Sequence, residues 1–243
     1  MPALADPTDG RLQGRIALVT GASRGIGAAV AKRFAAEGAH LVLVARTTGG
    51  LEELDDDIFD MTGARATLVP MDLTDFDQID HMGAALYERF GRLDVLVGNA
   101  GILGTLSPMG HIDPKDWDQV MAINLTANWR LLRSMDPLLR ASEAGRAIFV
   151  TSTVGAEARA YWSAYSVSKA GLEMMTKIYA LEITKTPVRV NLINPGATRT
   201  GMREQAMPGE DPETLKTPEA STEPFVQLAE PSCKLNGETI TCG

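Results

Sequence analysis

Short apolar runs alternate with longer amphipathic stretches along almost the whole chain. The apolar runs predict strands at IALVT (16–20), HLVLVA (40–45), ATLVP (66–70), DVLVG (94–98), RAIFVT (146–151), VRVNLI (188–193) and ETITC (238–242). The stretches between them predict helices at 25–37, 50–62, 75–90, 114–140, 161–185 and 218–230. Strands that are apolar on both faces and separated by helices form a parallel sheet covered on both sides. We therefore expect a single α/β domain built on a doubly wound, Rossmann-like parallel sheet of seven strands.

Three features modify this plan. Residues 1–13 precede the first strand and are interpreted as an N-terminal extension, so the predicted domain covers 14–243. Residues 197–217 are polar and punctuated by Gly and Pro, which favours a mobile lid within the domain. Pro137 lies inside the fourth predicted helix and is expected to kink it, because proline removes a backbone donor.

Charge and cysteine content argue against several classes of protein. The chain contains 23 Lys and Arg residues and 31 Asp and Glu residues, which gives a net charge of −8. A negative net charge disfavours binding to nucleic acid or anionic membranes. No run approaches the ~18 apolar residues of a membrane span, and the N-terminus lacks the apolar core of a secretion signal. Cys233, Cys242 and three scattered histidines indicate neither a disulfide framework nor a metal site. The expected location is the cytoplasm.

A glycine-rich loop, TGASRGIG at 20–27, directly follows the first predicted strand and opens a helix. Unpaired N–H groups and the positive end of the helix dipole suit a pyrophosphate, and glycines let the backbone approach it. The spacing of Gly21, Gly25 and Gly27 is G-x-x-x-G-x-G, and the lysine that a P-loop requires is missing. A tight turn without a ligand is the alternative. The strand, loop and helix together favour a nucleotide site.

Tyr165 and Lys169 are one helical turn apart in SAYSVSKAG (163–171). A phenol with a pKa near 10 is a poor catalyst at neutral pH, but a fixed positive charge nearby lowers that pKa. The pair therefore indicates a general acid, and Ser152, at the end of the fifth predicted strand, is placed to hold the same oxygen. The alternatives are a surface contact for the pair and Tyr161 as the acid, although Tyr161 has no lysine at the matching position.

Six motifs in this order resemble the short-chain dehydrogenase/reductase family, in its short, single-domain branch. They are the glycine loop, NAG at 99–101, Asn124 in MAINLT, Ser152, the Y-x-x-x-K pair, and NPGATRT at 194–200. The resemblance covers residues 14–243 and extends to 3-oxoacyl-acyl-carrier-protein reductases. It implies hydride transfer between a nicotinamide cofactor and a carbonyl or alcohol, with Lys169 also binding the nicotinamide ribose. It further implies that Asn124 holds a water molecule that relays protons.

The resemblance also implies which residues bind the cofactor. They are Gly21, Ser23, Arg24, Gly25, Ile26, Gly27, Arg46, Asp72, Leu73, Asn99, Ala100, Gly101, Tyr165, Lys169, Pro195, Gly196 and Thr198. Asp72 and Leu73 are expected at the adenine ring, although Asp72, Thr74 or Asp75 could instead cap the next helix. Homo-oligomerisation, as a dimer or tetramer, is expected through the helices at 114–140 and 161–185.

Two arginines indicate NADP(H) rather than NAD(H). The second strand ends in Ala45 and Arg46, where an acidic residue would bind a free ribose hydroxyl. Arg24 in the glycine loop adds a second cation, and guanidinium groups bind phosphate strongly. The alternative for Arg46 is a solvated charge at a strand end.

The substrate is less well defined by the sequence. Candidate pocket residues are Leu103, Thr153, Tyr161, Trp162, Met202 and Met207, with Thr153, Trp162 and Met202 as the main ones. They favour a small-molecule ketone, aldehyde or alcohol on an apolar or aromatic skeleton. A carrier-protein substrate is disfavoured because Pro137 and Leu181 stand where a basic docking patch is expected. The acidic segment 208–219 either selects against anionic substrates or only keeps the lid soluble. A catalytically idle NADP(H)-binding sensor or scaffold is the alternative function.

Overall fold

The computed structural model of the protein describes residues 10–242. Within that range, seven strands form one parallel sheet in the order β3-β2-β1-β4-β5-β6-β7. They are β1 (Ile16–Thr20), β2 (His40–Ala45), β3 (Thr67–Pro70), β4 (Val95–Gly98), β5 (Arg146–Val150), β6 (Arg189–Asn194) and β7 (Thr239–Thr241). Each strand begins and ends within one residue of its predicted range. The predicted doubly wound, single-domain α/β fold is confirmed.

The α-helices of the described chain cover both faces of this sheet. They are α1 (Gly25–Ala36), α2 (Thr48–Thr62), α3 (Phe76–Phe90), α4 (Pro114–Met121), α5 (Ala127–Ala141), α6 (Thr153–Ala156), α7 (Ser163–Glu182), α8 (Gly201–Ala206) and α9 (Glu223–Ala229). Buried side chains of α3, α5 and α7 pack on one face, and those of α1, α2 and α9 pack on the other. None of these helices is long and apolar enough to cross a membrane.

The helix predicted at 114–140 is interrupted in the structure. α4 ends at Met121, α5 begins at Ala127, and the segment between them, Ala122–Thr126, is a π-helical turn. Asn124 lies inside this turn and its side chain is fully buried. Pro137 lies within α5, and the kink expected there remains a prediction. π-turns are concentrated at functional sites, where they re-aim a side chain that a regular helix would point elsewhere.

The predicted lid is partly helical, because α8 lies inside it. Two ion pairs form between side chains of the lid. Arg203 pairs with Glu210 at 2.5 Å, and Arg199 pairs with Glu213 at 2.6 Å. These two carboxylates of the acidic segment are therefore neutralised within the lid itself.

The first described residues contact the body of the domain. Leu12 is fully buried in the core cluster that contains α1, and Arg11 forms an ion pair with Glu230. These two residues belong to the segment that the sequence suggested as an N-terminal extension. Residues 1–9 of that segment, and Gly243 at the other end of the predicted domain, lie outside the described residues.

Candidate active site

The motifs identified in the sequence follow strand ends at one edge of the sheet. The glycine loop follows β1, residues 99–101 follow β4, Ser152 lies just beyond β5, and residues 194–200 run on from the end of β6. Because the strands are parallel, their carboxyl ends share this edge, and the strand order reverses there between β1 and β4. Tyr165 and Lys169 are supplied by the first two turns of α7. The topology therefore brings distant motifs to one crevice.

The glycine loop leaves backbone donors unpaired at the N-terminus of α1. Arg24 is the N-cap residue, and its side chain makes no capping hydrogen bond. Gly25 has φ +58, in the left-handed region that favours glycine. A Cβ atom on Gly27 would lie 2.3 Å from the Gly21 carbonyl oxygen, so a larger residue does not fit. Free N–H groups at the positive end of a helix fit a pyrophosphate.

Asn99 fastens this loop to the neighbouring strand. Its Nδ2 donates to the carbonyl oxygens of Thr20 and Gly21, at 2.9 and 3.3 Å. The Thr20 hydroxyl accepts the backbone N–H groups of Asn99 and Ala100, at 3.0 and 3.1 Å. These bonds hold the glycine cradle in place. The contacts that Asn99 and Ala100 were expected to make with a cofactor remain predictions.

Two exposed arginines belong to loops that touch each other beside the cradle. Arg24 lies in the glycine loop and Arg46 directly follows β2. The two segments are close, because the Ala22 N–H of the glycine loop donates to the Val44 carbonyl of β2 at 3.2 Å, and a Cβ atom on Gly50, in the first turn of α2, would lie 3.0 Å from the Cβ of Ser23. In the described part of the chain, neither guanidinium forms a salt bridge with a carboxylate. Both are thus available to a phosphate.

Asp72 and Leu73 follow β3 at the same edge. Leu73 is buried, whereas Asp72 is exposed and accepts hydrogen bonds from the backbone and hydroxyl of Thr74. The backbone bond from Thr74 is the main cause that lowers the pKa of Asp72, and the charge of Arg46 contributes. Asp75, not Asp72 or Thr74, caps α3 by accepting a backbone N–H. Asp72 is therefore not used as a helix cap.

Tyr165 is buried in the first turn of α7, and Ser152 lines the same cleft. Burial raises the pKa of this phenol above its ordinary value near 10, and the Ser152 hydroxyl opposes that shift. At neutral pH the phenol is therefore protonated, the form that donates a proton to a carbonyl oxygen. Ser152 makes no capping bond to α6, which begins at the next residue. Tyr161, the other candidate acid, is 62% exposed.

Lys169 is almost completely buried beside Tyr165. Its Nζ donates to the Val150 carbonyl oxygen at 2.7 Å and lies 5.7 Å from the centre of the Tyr165 ring. Burial lowers the pKa of this amine to about 8. The sequence predicted that Lys169 would lower the phenol's pKa, whereas in this structure burial outweighs any such effect and raises it. The physical reason is that Lys169 is directed to a backbone carbonyl and is itself poorly solvated.

Asn124 joins this group from the π-turn. Its Oδ1 accepts the Ile102 N–H at 2.8 Å, and its Nδ2 donates to the Ile102 carbonyl at 2.9 Å and to Ser168 at 3.1 Å. A Cβ atom on Gly101 would lie 3.2 Å from Asn124 Oδ1 and 3.6 Å from Lys169 Nζ. The backbone at Gly101 and the side chains of Asn124 and Lys169 thus lie close together. The proton-relay role of Asn124 remains a prediction.

Residues 194–200 form the wall between the strands and the lid. Gly196, at φ +66, donates its N–H to Asn194 Oδ1 at 3.0 Å, and the Thr198 hydroxyl donates to the Pro195 carbonyl at 3.2 Å. A Cβ atom on Gly25 would lie 3.6 Å from the Thr200 methyl group. This wall therefore faces the glycine loop directly.

A cleft lies between this wall, Tyr165 and the lid. It is lined by Ile26, Leu103, Thr151, Ser152, Trp162, Tyr165, Asn194, Pro195, Gly196, Thr198, Thr200, Met202, Arg203 and Ala206. The rings of Trp162 and Tyr165 meet edge to face, with centres 5.9 Å apart. Of the predicted pocket residues, Leu103, Trp162 and Met202 line the cleft. Thr153 does not, and its hydroxyl accepts a hydrogen bond from Asn194.

Several residues near the site were not identified from the sequence. Asn194 and Arg203 line the cleft, and Tyr161 and Met207, which were proposed for the pocket, do not. Glu173 is buried one turn after Lys169, and it accepts a 2.7 Å hydrogen bond from the Thr151 hydroxyl. Residues 10–242 contain no group of three His, Cys, Asp or Glu side chains that could hold a metal ion.

Comparison with known proteins places this geometry among oxidoreductases. A family model described as short chain dehydrogenase matches residues 15–211. The uncharacterized oxidoreductase YciK of Escherichia coli K12 is 39% identical over 214 residues, which is 87% of this chain and 84% of that protein. The 3-oxoacyl-[acyl-carrier-protein] reductase of Thermotoga maritima is 34% identical over 80% of this chain and 78% of that one.

A solved structure from Escherichia coli CFT073, complexed with NADPH, is also similar to this chain. It superposes with a TM-score of 0.92 at 37% identity, covering 96% of this chain and 98% of that one. The glycine cradle, the uncapped helix and the exposed arginine pair described above fit the same cofactor.

Proposed function

The chain belongs to the short-chain dehydrogenase family, and on this premise we propose that it is an NADP(H)-dependent oxidoreductase that interconverts a carbonyl group and a primary or secondary alcohol. The observation that carries the proposal is the buried phenol of Tyr165 in the cleft. Ser152 lines the same cleft, and the buried amine of Lys169 lies one helical turn along α7. A protein that only sensed the redox state of a cofactor would not need such an acid.

When bound, NADPH supplies the hydride that reduces the carbonyl carbon. Ser152 donates a hydrogen bond to the substrate oxygen and holds it beside the phenol. Tyr165 donates its proton to that oxygen as negative charge develops there, a role that is typically worth about 10²–10⁴-fold in rate. The charge of Lys169 stabilises the phenolate that remains, and Asn124 supports the water that returns a proton to it. In alcohol oxidation the same groups act in reverse.

The residues that would hold the cofactor surround the cradle. The glycine loop and the N-terminus of α1 would bind the pyrophosphate, and Arg24 with Arg46 would bind the 2′-phosphate. Asp72 and Leu73 would contact the adenine, and Lys169 the nicotinamide ribose. The wall formed by Pro195, Gly196 and Thr198 would border the nicotinamide.

Replacing Arg46 with aspartate is expected to reverse the cofactor preference. The carboxylate would repel the 2′-phosphate of NADPH and accept a hydrogen bond from the free hydroxyl of NADH. Loss of a charge-assisted contact should weaken NADPH binding by at least about tenfold. Dissociation constants for both cofactors, measured by fluorescence titration, provide the check. Arg89→Asp, an exposed arginine on α3, is the matched control, and equal preference in the wild type and Arg46→Asp would contradict the assignment.

We propose a small-molecule substrate with an apolar or aromatic skeleton, because Leu103, Trp162 and Met202 line the cleft. A carrier-bound acyl group is disfavoured. An acidic carrier needs a basic docking patch, and Leu181, which stands at one such position, is 75% exposed and apolar. We further propose that the protein works in the cytoplasm, consistent with its two unpaired cysteines.

We also propose that the protein forms a homodimer or homotetramer. Three apolar side chains on one helix, Met174, Ile178 and Leu181 of α7, are at least half exposed, and Trp129 on α5 is 46% exposed. Such a surface is typical of an interaction site. A second copy of the chain packing on α5 and α7 would bury these side chains.

The test of the proposed activity is carbonyl-dependent oxidation of cofactor by the purified protein. Ketones, aldehydes, quinones and 3-oxoacyl thioesters would be offered with NADPH and, in parallel, with NADH. Turnover with NADPH would support the proposal and define the substrate class. Binding of NADPH without turnover of any carbonyl would favour a sensor or scaffold.

A further inference from the structure

A second pocket lies outside the cleft and has no role in the mechanism above. It has a volume of about 330 Å³ and is lined by Pro108, Met109, Arg159, Ala160, Tyr161 and Ser163. Two loops form it, one after β4 and the other between α6 and α7. They are joined by a hydrogen bond from the Ser107 N–H to the Tyr161 carbonyl at 3.0 Å.

Arg159 gives this pocket a positive charge. Its side chain is exposed, and it forms no salt bridge with any carboxylate among residues 10–242. The guanidinium carbon lies 5.4 Å from the centre of the Trp162 ring. Stacking on an aromatic face orients a guanidinium while leaving its N–H groups free to bind an anion.

Ser163 is a polar residue of the same lining, at the start of α7. Only 7% of this residue is exposed, and its enclosed Oγ has no hydrogen-bond partner in the described chain. Buried hydroxyls are normally satisfied, so rotation of this side chain toward a ligand in the pocket would supply the hydrogen bond that it lacks.

The pocket also lies at the N-terminus of the longest helix. α7 contains 20 residues, and its N-cap residue, Trp162, makes no side-chain capping bond. The first N–H groups of α7 and the positive end of its dipole are therefore uncompensated at Ser163. The guanidinium, the hydroxyl and the helix end all favour a negative charge at the same place.

The remaining lining is apolar and exposed. Met109 is 57% exposed and Tyr161 is 62% exposed. Tyr161 has φ +72, a conformation rare for a residue other than glycine. Large apolar side chains beside an anion-binding group suit a ligand that carries its charge on a hydrophobic skeleton.

We propose that this pocket binds a carboxylate or phosphate at the far end of the carbonyl substrate. The inference rests on the proposed function, because it places the far end of that reaction's substrate in this pocket. Trp162, whose ring packs on Tyr165, lines the cleft, while its neighbours Tyr161 and Ser163 line the outer pocket. The substrate is thus a carbonyl compound or the corresponding alcohol. Its skeleton is apolar, and it carries an acidic group at the end far from the reacting carbon. The negative charge of the lid is partly offset, since Glu210 and Glu213 are paired with arginines.

Binding is tested first, without turnover. Phenylacetate, phenyl phosphate and neutral phenylacetamide would be titrated calorimetrically into the protein saturated with NADP⁺, so that the cofactor's own phosphate site is filled. The wild type should bind at least one anion about tenfold more tightly than the amide, and Arg159→Gln should lose this preference. Arg159→Lys should retain part of it. Arg89→Gln is the matched control, because Arg89 also stacks on an aromatic ring, that of Phe90, and lies on α3.

Turnover is tested with pairs of aryl ketones that differ only in a free carboxylate or its methyl ester, joined through spacers of one to four methylene groups. For one spacer, kcat/KM of the wild type should favour the acid about tenfold, with the preference lost in Arg159→Gln and kept in Arg89→Gln. Reduction of acids and esters alike by the wild type would overturn the inference and leave the proposed function intact. If anions bind in a way that depends on Arg159 but no carbonyl is turned over, the outer pocket is an anion site and the proposed function is overturned.

Discussion

A Tyr165→Phe variant is expected to reduce carbonyl compounds about 10³-fold more slowly than the wild type, within the range that a general acid contributes. Phenylalanine keeps the ring that packs with Leu103 and Val154 but removes the hydroxyl from the cleft that Ser152 also lines. The loss should therefore appear in kcat, with little change in the affinity for NADPH or in thermal stability. Steady-state kinetics and cofactor titration on the same preparations provide the measurement.

Tyr87→Phe is the control for this experiment, because Tyr87 is 60% exposed on α3. It should behave like the wild type in every assay. A Tyr165→Phe variant whose kcat stays within about threefold of the wild type would show that the proton comes from another group. That outcome would remove Tyr165 as the general acid of the proposed mechanism.

A Lys169→Met variant is expected to lose about 10³-fold in kcat/KM and about tenfold in affinity for NADPH. Methionine has a similar length and is tolerated in a buried position, so the fold should survive. The variant lacks the charge that stabilises the phenolate and the donor expected at the nicotinamide ribose. Both losses would be measured by steady-state kinetics and equilibrium titration, with Lys177→Met, an exposed lysine of the same helix, as the control.

The pH dependence of NADPH binding sharpens this test. Burial lowers the pKa of Lys169 to about 8, so the amine is charged below that pH and neutral above it. Wild-type affinity should consequently fall as the pH rises through about 8, whereas the affinity of Lys169→Met should not change there. A wild-type profile that is flat from pH 7 to pH 9 would contradict a role for the charged amine in binding.

The bounds of the strands and the location of the crevice were predictable because their signals are local. Both faces of a strand such as HLVLVA at 40–45 are apolar, which only a doubly covered parallel sheet accommodates. The spacing of Gly21, Gly25 and Gly27 likewise encodes a loop that feeds a helix. The four-residue separation of Tyr165 and Lys169 places both on one helical face. These features depend on neighbouring residues more than on distant ones.

Features that depend on distant contacts were not predictable in the same way. The π-turn at Asn124 is accompanied by hydrogen bonds to Ile102, which is 22 residues away, and periodicity contains no signal for it. The pKa of Tyr165 is raised by burial, whose extent follows from packing with the lid and with Trp162. Thr153 was expected to line the cleft and does not; its hydroxyl accepts a hydrogen bond from Asn194, which is 41 residues away in the sequence.

The outer pocket shows the same limit. The sequence does not single out Arg159, and it indicated Tyr161 only as a rival acid to Tyr165 and as a wall of the catalytic cleft. Their significance comes from the adjacent loop that contains Met109 and from the unpaired hydroxyl of Ser163. A tertiary arrangement that joins two loops leaves no pattern in either one.

The most direct test of the proposed activity follows hydride and proton separately. The purified protein would be incubated with NADPH carrying deuterium on the transferred face of the nicotinamide and with each carbonyl that supports cofactor oxidation. Mass spectrometry of the product should find one deuterium on the carbinol carbon, and the Tyr165→Phe variant should form this product about 10³-fold more slowly. Oxidation of NADPH without deuterium in an alcohol product, or equal rates in the two proteins, would contradict direct hydride transfer with Tyr165 as the acid.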